Sequence, residues 1–167
     1  ITSLSDSTVF DPSNGNFEIV GSLFLAAPDG GETWVVGSSQ NITWTKFGNI
    51  STVKFEYSTN GGSTYPNTIA TGISATALTY AWTIPDAIGT QVPVKITDES
   101  NANVSDASTA NFAVKGSLTV TAPNGNEIWN VGSAQNITWS KTGTLGNVKL
   151  EYSSDGGSTY PNTIVAS

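Results

Sequence analysis

Neither histidine nor cysteine occurs anywhere in the 167 residues. That removes Ser-His and Cys-His nucleophile pairs, imidazole and thiolate metal sites, and disulfides. Acid–base chemistry is left to carboxylates. Two groupings stand close in sequence: Asp98 and Glu99 with Asp106, and Asp29 with Glu32 around Gly30-Gly31. A glycoside hydrolase needs two carboxyls across a cleft, one to protonate the leaving oxygen and one to attack or to activate water. Neither grouping survives comparison with the chain's own related segments. Ninety-five residues on, Asn124 stands where Asp29 does, and ninety-five residues back, Ser3-Leu4 stands where Asp98-Glu99 does. Only Glu32/Glu127 and Asp11/Asp106 persist, and solvated turn residues account for the others. No catalytic residue is assigned, and the chain reads as non-enzymatic.

Calcium is the remaining ionic chemistry, since carboxylates and carbonyls gathered at a domain junction can hold it. Glu32, Asp106 and the Gly21-Ser22 junction are the residues that would have to converge. No Asp-x-Asp or EF-hand spacing accompanies them, so neither metal nor cofactor is assigned. Flat aromatic side chains offer a different chemistry, stacking on sugar rings. Trp34, Tyr65, Trp129 and Tyr160 lie beside turns and are the candidate glycan contacts; the competing reading is that they cap the ends of a sandwich. Trp44, Trp82 and Trp139 sit in alternating segments and are expected in the core. Asn41, Asn49, Asn103 and Asn136 each head an N-x-Ser/Thr acceptor for glycosylation. With 15 Asn and 44 Ser or Thr in the chain, several such triplets arise by chance.

The elements that must position these residues are written twice. Ser22 to Gly72 returns without a gap as Ser117 to Ser167, with 31 of 51 positions identical. Gln40-Asn41-Ile42-Thr43-Trp44 recurs as Gln135-Asn136-Ile137-Thr138-Trp139, and Gly61 to Ile69 recurs letter for letter as Gly156 to Ile164. A period of 95 residues suits tandem domains that each fold alone, not a solenoid of short units. The same shift places Ile1-Thr2, Asp11 and Asn16-Phe17 on Ile96-Thr97, Asp106 and Asn111-Phe112. The expected organisation is therefore the C-terminal strands of one repeat (1–21), a whole repeat (22–116) and the N-terminal half of a third (117–167), cut from a longer array.

Within the whole repeat, Leu23 to Ala27 reads as a first strand stopped by Pro28-Asp29-Gly30-Gly31. Asn41 to Thr45 and Val53 to Ser58 alternate with period two, the pattern of half-buried strands. The second of these runs into Asn60-Gly61, a hairpin signal. Leu78, Tyr80 and Trp82 share a face, Val92, Val94 and Ile96 form the next strand, and Phe112 and Val114 the last; Asn16 to Val20 is its copy in the preceding repeat. Seven or so short strands and no 3.6-residue period predict an all-β fold of tandem immunoglobulin-like antiparallel sandwiches. The connections Val20-Gly21-Ser22 and Lys115-Gly116-Ser117 are short enough to restrict inter-repeat angles, which predicts a semi-rigid rod.

The pattern Pro-x-Gly-x-Glu-x-Trp-x-x-Gly-x-x-x-x-Ile-x-Trp from Pro28 to Trp44, followed by Tyr80-x-Trp82-x-x-Pro85 and Asn111-Phe112-x-Val114, resembles the immunoglobulin-like domain of the Ser-Thr-rich GPI-anchored membrane family, also called the Kre9/Knh1 family. The resemblance implies a sandwich in a secreted or wall-associated protein, with no catalytic residues. Fungal members are linked with cell-wall glucan assembly, and similar domains recur in large bacterial and archaeal surface proteins. This chain departs from the fungal pattern in being tandem and free of cysteine. Ser153-x-Asp155-Gly156-Gly157-x-Thr159-Tyr160 is similar to the Asp-box turn of sialidases, with Tyr in place of the usual Trp, and in the first repeat Asn60 takes the place of the Asp.

Six Lys and Arg against 13 Asp and Glu give a net charge of −7, which argues against nucleic acid or an anionic membrane as partner. Charged residues make up only 11% of the chain. Solubility falls to neutral Ser, Thr and Asn, a habit of secreted and surface proteins. The expected function is a structural or adhesive repeat module of a long extracellular or cell-surface protein, such as a stalk, adhesin or filament. The alternative is a carbohydrate-binding accessory module of a secreted enzyme. Expected partners are neighbouring repeats, a glycan, and further copies in a fibre. Residues 1–21 of one copy could partly complete 117–167 of another, although continuation of a longer chain is the simpler expectation.

Overall fold

The computed structural model describes residues 1–165 and contains no helix among them. Fourteen strands follow in order: β1 (Ser22–Ala27), β2 (Thr33–Val35), β3 (Ser39–Phe47), β4 (Thr52–Tyr57), β5 (Asn67–Ser74), β6 (Thr79–Thr83), β7 (Gly89–Val92), β8 (Val94–Asp98), β9 (Ser105–Ala107), β10 (Phe112–Lys115), β11 (Ser117–Ala122), β12 (Thr138–Thr142), β13 (Leu150–Tyr152) and β14 (Asn162–Val165). Every pairing of β1 to β10 lies inside 22–116, and β11 to β14 pair only with one another.

Residues 22–116 form two layers. One is β1-β3-β6, antiparallel throughout. The other is built on β5-β4-β8-β9. Pro93 interrupts what would be a single strand, because it has no N–H to give the ladder. Its carbonyl still accepts from Ser58 N at 3.0 Å. The chain therefore reads as β7 and β8 in line, with β10 pairing the first and β9 the second. Beyond β10 lies β2, and that pair is parallel. The sequence pattern missed this short parallel strand, since Thr33-Trp34-Val35 is too brief to show an alternation. The result is an immunoglobulin-like β-sandwich.

Alternation explains the interior. Ile42 and Trp44 of β3 and Val53 and Phe55 of β4 are each at most 2% exposed, while Asn41 and Thr45 face solvent. Trp44 packs on Phe55 with ring centroids 5.0 Å apart, and its indole N–H reaches the Ala75 carbonyl at 3.0 Å. Burying the ring therefore leaves no polar group unpaired. Leu78 departs from expectation: it precedes β6 with φ of 57° and is 44% exposed, so only Tyr80 and Trp82 take inward places.

The second unit repeats the first locally and differs globally. Ser117↔Thr142 through Ala122↔Thr138 reproduces, residue for residue, the register Ser22↔Phe47 through Ala27↔Thr43. Yet Trp139 is 41% exposed where Trp44 is 2%. The expectation of a buried Trp139 is thus not met. In 22–116 the indole is covered by the opposite layer, and no counterpart of β6 to β10 exists among the described residues of this unit. The N-terminal segment behaves alike. Its bridge Thr2↔Phe10 is the image of Thr97↔Ser105. Asn16 to Val20 forms no strand, contrary to the pattern, and Phe17 is 78% exposed where Phe112 is 1%.

Candidate functional site

The carboxylates singled out by type and spacing are all drawn into backbone hydrogen bonds. Both oxygens of Glu32 accept from the Pro-Asp-Gly turn, one from Asp29 N and one from Gly30 N, each at 2.9 Å. Glu127 does the same for Asn124 and Gly125 at 2.7 Å, and these bonds, that from Asn124 first, hold its pKa below the ordinary glutamate value. Gly30 has φ of +119°, and a Cβ there would lie 2.5 Å from Ala110 Cβ, so glycine is demanded twice over. Asp29 caps the other side, its carboxylate accepting from Thr109 N at 2.8 Å and its carbonyl from Ala110 N at 3.0 Å. Hydrogen bonding from Thr109, by the hydroxyl first and the backbone second, lowers the Asp29 pKa.

Asp106 lies elsewhere, on β9, where Oδ2 accepts from Leu25 N at 2.7 Å. Ser108 extends that seam, donating to the Pro28 carbonyl at 2.7 Å and accepting from Val94 N at 3.0 Å. Asp98 closes a local turn with Ser100, and Glu99 accepts from Gly72 N at 2.9 Å. Glu32 and Asp106, which a calcium site at the Gly21-Ser22 junction would need to converge, are engaged at separate places. Among the described residues no group of three or more Asp or Glu gathers as a metal site would require. The persistence of Glu32 and Asp106 across repeats has an architectural cause: one shapes the turn after β1, the other ties β1 to the opposite layer.

The aromatic candidates divide. Trp34 is half-buried on β2, its ring 4.8 Å from Phe112 and 6.0 Å edge-on from Trp82. It packs against the core, as the reading of the turn-side aromatics as caps of the sandwich expects. Tyr65 is half-buried beside the Gly61-Gly62 turn with Lys95 Nζ 5.9 Å above its ring, and burial raises its pKa. Trp129 and Tyr160, their images, are 43% and 56% exposed and line a groove of about 640 Å³ with Pro123, Tyr152 and Ile164. The groove is the uncovered interior face of the second unit. A polar cleft of about 510 Å³ lies between Glu18–Gly21 and the loops at Gly48-Asn49 and Asp98–Val104. Asn41, Asn49, Asn103 and Asn136 are all exposed, Asn41 within β3 and the others outside any strand.

The turn similar to an Asp-box makes the same bonds in both units save one. Ser153 Oγ accepts from Asp155 N and Gly157 N, and Ser58 Oγ accepts from Asn60 N and Gly62 N. Asp155 Oδ2 accepts from the Thr159 hydroxyl at 2.7 Å, whereas Asn60 Nδ2 donates to the Thr64 hydroxyl at 2.9 Å. A hydroxyl can turn either way, which is why Asn and Asp exchange here. The bonds from Ser153, then Thr159, hold the Asp155 pKa far below its ordinary value.

A contact invisible to the sequence pattern joins the units. Asp86 Oδ2, in the loop after β6, accepts from Thr144 N at 2.8 Å and Thr144 Oγ1 at 2.5 Å. The hydroxyl bond chiefly, then the backbone bond and more weakly Lys141, lower the Asp86 pKa. Pro85-Asp86 alone gives no hint of a partner 58 residues on.

No family model matches the chain, and no curated protein matches it. Among solved structures the chain is similar to the fibronectin(III)-like modules of Clostridium thermocellum CbhA, at 18% identity, covering 77% of this chain and 67% of that chain with a TM-score of 0.35. The strand order itself defines the architecture.

Proposed function

We propose that the chain is a non-enzymatic structural module, one of a series of immunoglobulin-like repeats that space or display other parts of a long extracellular or cell-surface protein. One observation carries this reading. Three of the four acids that recur between repeats, Glu32, Glu127 and Asp106, accept backbone N–H groups that a strand edge or a tight turn would otherwise leave unpaired. They are spent on holding the sandwich together, and the recurring Trp34 is spent on its packing. The exposed faces are rich in Ser, Thr and Asn, and the asparagine of each of the four glycosylation triplets is exposed, as suits a secreted context. The Pro28-to-Trp44 pattern and its likeness to wall-associated immunoglobulin-like domains favour the same setting, with neighbouring repeats or further copies as partners.

A second reading, a carbohydrate-binding accessory module, draws on Trp129 and Tyr160 lying open along one groove. Against it, the same positions in the complete repeat, Trp34 and Tyr65, are half-buried. Incubating the 167-residue chain with a glycan array and with insoluble polysaccharides separates the two. The structural reading expects no retention. Retention that Trp129→Ala or Tyr160→Ala removes would replace it with the carbohydrate-binding one.

A further inference from the structure

We infer that consecutive repeats are locked at one orientation by a three-part joint whose halves are carried on opposite ends of every repeat, so that the array propagates as a stiff rod. This rests on the structural-module reading and says how such a module would transmit direction and length.

The first part is a wedge. At the link between units, a Cβ on Gly116 would lie 2.6 Å from Leu145 Cδ2 and 2.6 Å from the Thr142 carbonyl oxygen. At the preceding link, a Cβ on Gly21 would lie 2.7 Å from the Phe47 carbonyl oxygen and 2.8 Å from Ile50 Cγ1. Leu145 and Thr142 are Ile50 and Phe47 displaced by 95 residues. Both links thus pass under the same loop of the following repeat at the same place. Neither glycine is in the left-handed region, so each is there for want of room.

The second part is apolar. Gly143 approaches so closely that a Cβ on it would meet Ile88 Cδ1 at 3.0 Å and Val36 Cγ2 at 3.1 Å. These two residues stand at the end of 22–116 where Val36 N also bonds the Lys115 carbonyl at 2.9 Å. The third part is the pair of bonds from Thr144 to Asp86 already described. One carboxylate oxygen taking both the N–H and the hydroxyl of one residue admits little rotation about the link. The preceding link presents Gly48-Asn49-Ile50 where this one presents Gly143-Thr144-Leu145. Asn49 keeps the two donors, a backbone N–H and a side-chain N–H, that the lock uses.

The chain has no native cysteine, so nitroxide labels at Thr76→Cys and Ser140→Cys, both exposed sites, report the inter-unit distance without interference. Double electron–electron resonance should give one narrow distribution in the parent and in Asp86→Asn, which keeps an acceptor oxygen, and a broad one in Asp86→Ala. Amide exchange is read on the same chains. Thr144 N–H should exchange about tenfold faster in Asp86→Ala, while the amides of β11 and β12 keep their parent rates. A broad parent distribution, or Thr144 rates that Asp86→Ala does not change, overturns the joint. So does release of β11 and β12 along with Thr144, because the acid would then hold the fold of the second unit and not its orientation. A joint that fails while the glycan arrays stay empty removes the rod and leaves the structural module standing.

Discussion

Asp106 and Leu25 face each other across the two layers, the carboxylate of one accepting the backbone N–H of the other at 2.7 Å. β1 pairs with β3 on one side only, so its other edge would expose N–H groups to the interior seam. Asp106 fills that need without a ladder. Asp106→Ala should destabilise the complete repeat by about 1–3 kcal/mol, the cost of leaving a part-buried N–H unpaired. Asp106→Asn retains an oxygen at that place and should lose less. Chemical denaturation decides it, and equal losses in the two variants would mean the charge, not the acceptor, matters.

Trp44 and Trp139 occupy the same position of the same strand in successive units with opposite surroundings. Trp44→Ala should cost roughly 3–5 kcal/mol, by lost packing against Phe55 and a cavity, and so consume much of an ordinary domain's stability of about 5–15 kcal/mol. Trp139→Ala should leave the main unfolding transition where it is. Circular dichroism melts of both variants test the pair. A shift of the main transition in Trp139→Ala would show that its indole is covered in solution.

Thr97 is 3% exposed, and its hydroxyl finds no hydrogen-bond partner. Valine has nearly the same shape, so Thr97→Val removes a desolvated polar atom and adds a methyl to the interior. The variant should be more stable by about 1 kcal/mol. A lower denaturation midpoint would mean that an ordered water serves the hydroxyl.

The turns at Asn60 and Asp155 should part company in acid. The folded-state pKa of Asp155 is depressed by the bonds from Ser153 and Thr159. Their stabilisation is therefore complete above the unfolded carboxylate value of about 4 and is lost as pH falls below it through the folded value. Asn60 has no such titration. On acidification the Thr159 amide should lose protection from exchange while the Thr64 amide keeps its own, and Asp155→Asn should abolish the difference. Equal pH dependence of the two amides would show that the aspartate is not what closes the turn.

The strands β3, β4 and β8 were legible from alternation, and the 95-residue duplication was legible as plain identity, because local side-chain periodicity and copied segments are properties of the chain alone. So were the turns, where Gly30 and Asn60-Gly61 record a backbone requirement in the residue type. Three things were decided only in three dimensions. Pro93 split one strand into two, and each half found a different neighbour, since pairing depends on which edge lies nearby. Trp34, beside a turn, went into the packing, because β2 joined β10 in parallel and delivered its ring onto Phe112. Asp86 met Thr144 across the link, a contact between residues 58 apart that no window along the sequence contains. Burial and partnership arise from what the opposite layer supplies, and so one tryptophan motif, read twice in the chain, is interior in one unit and open in the other.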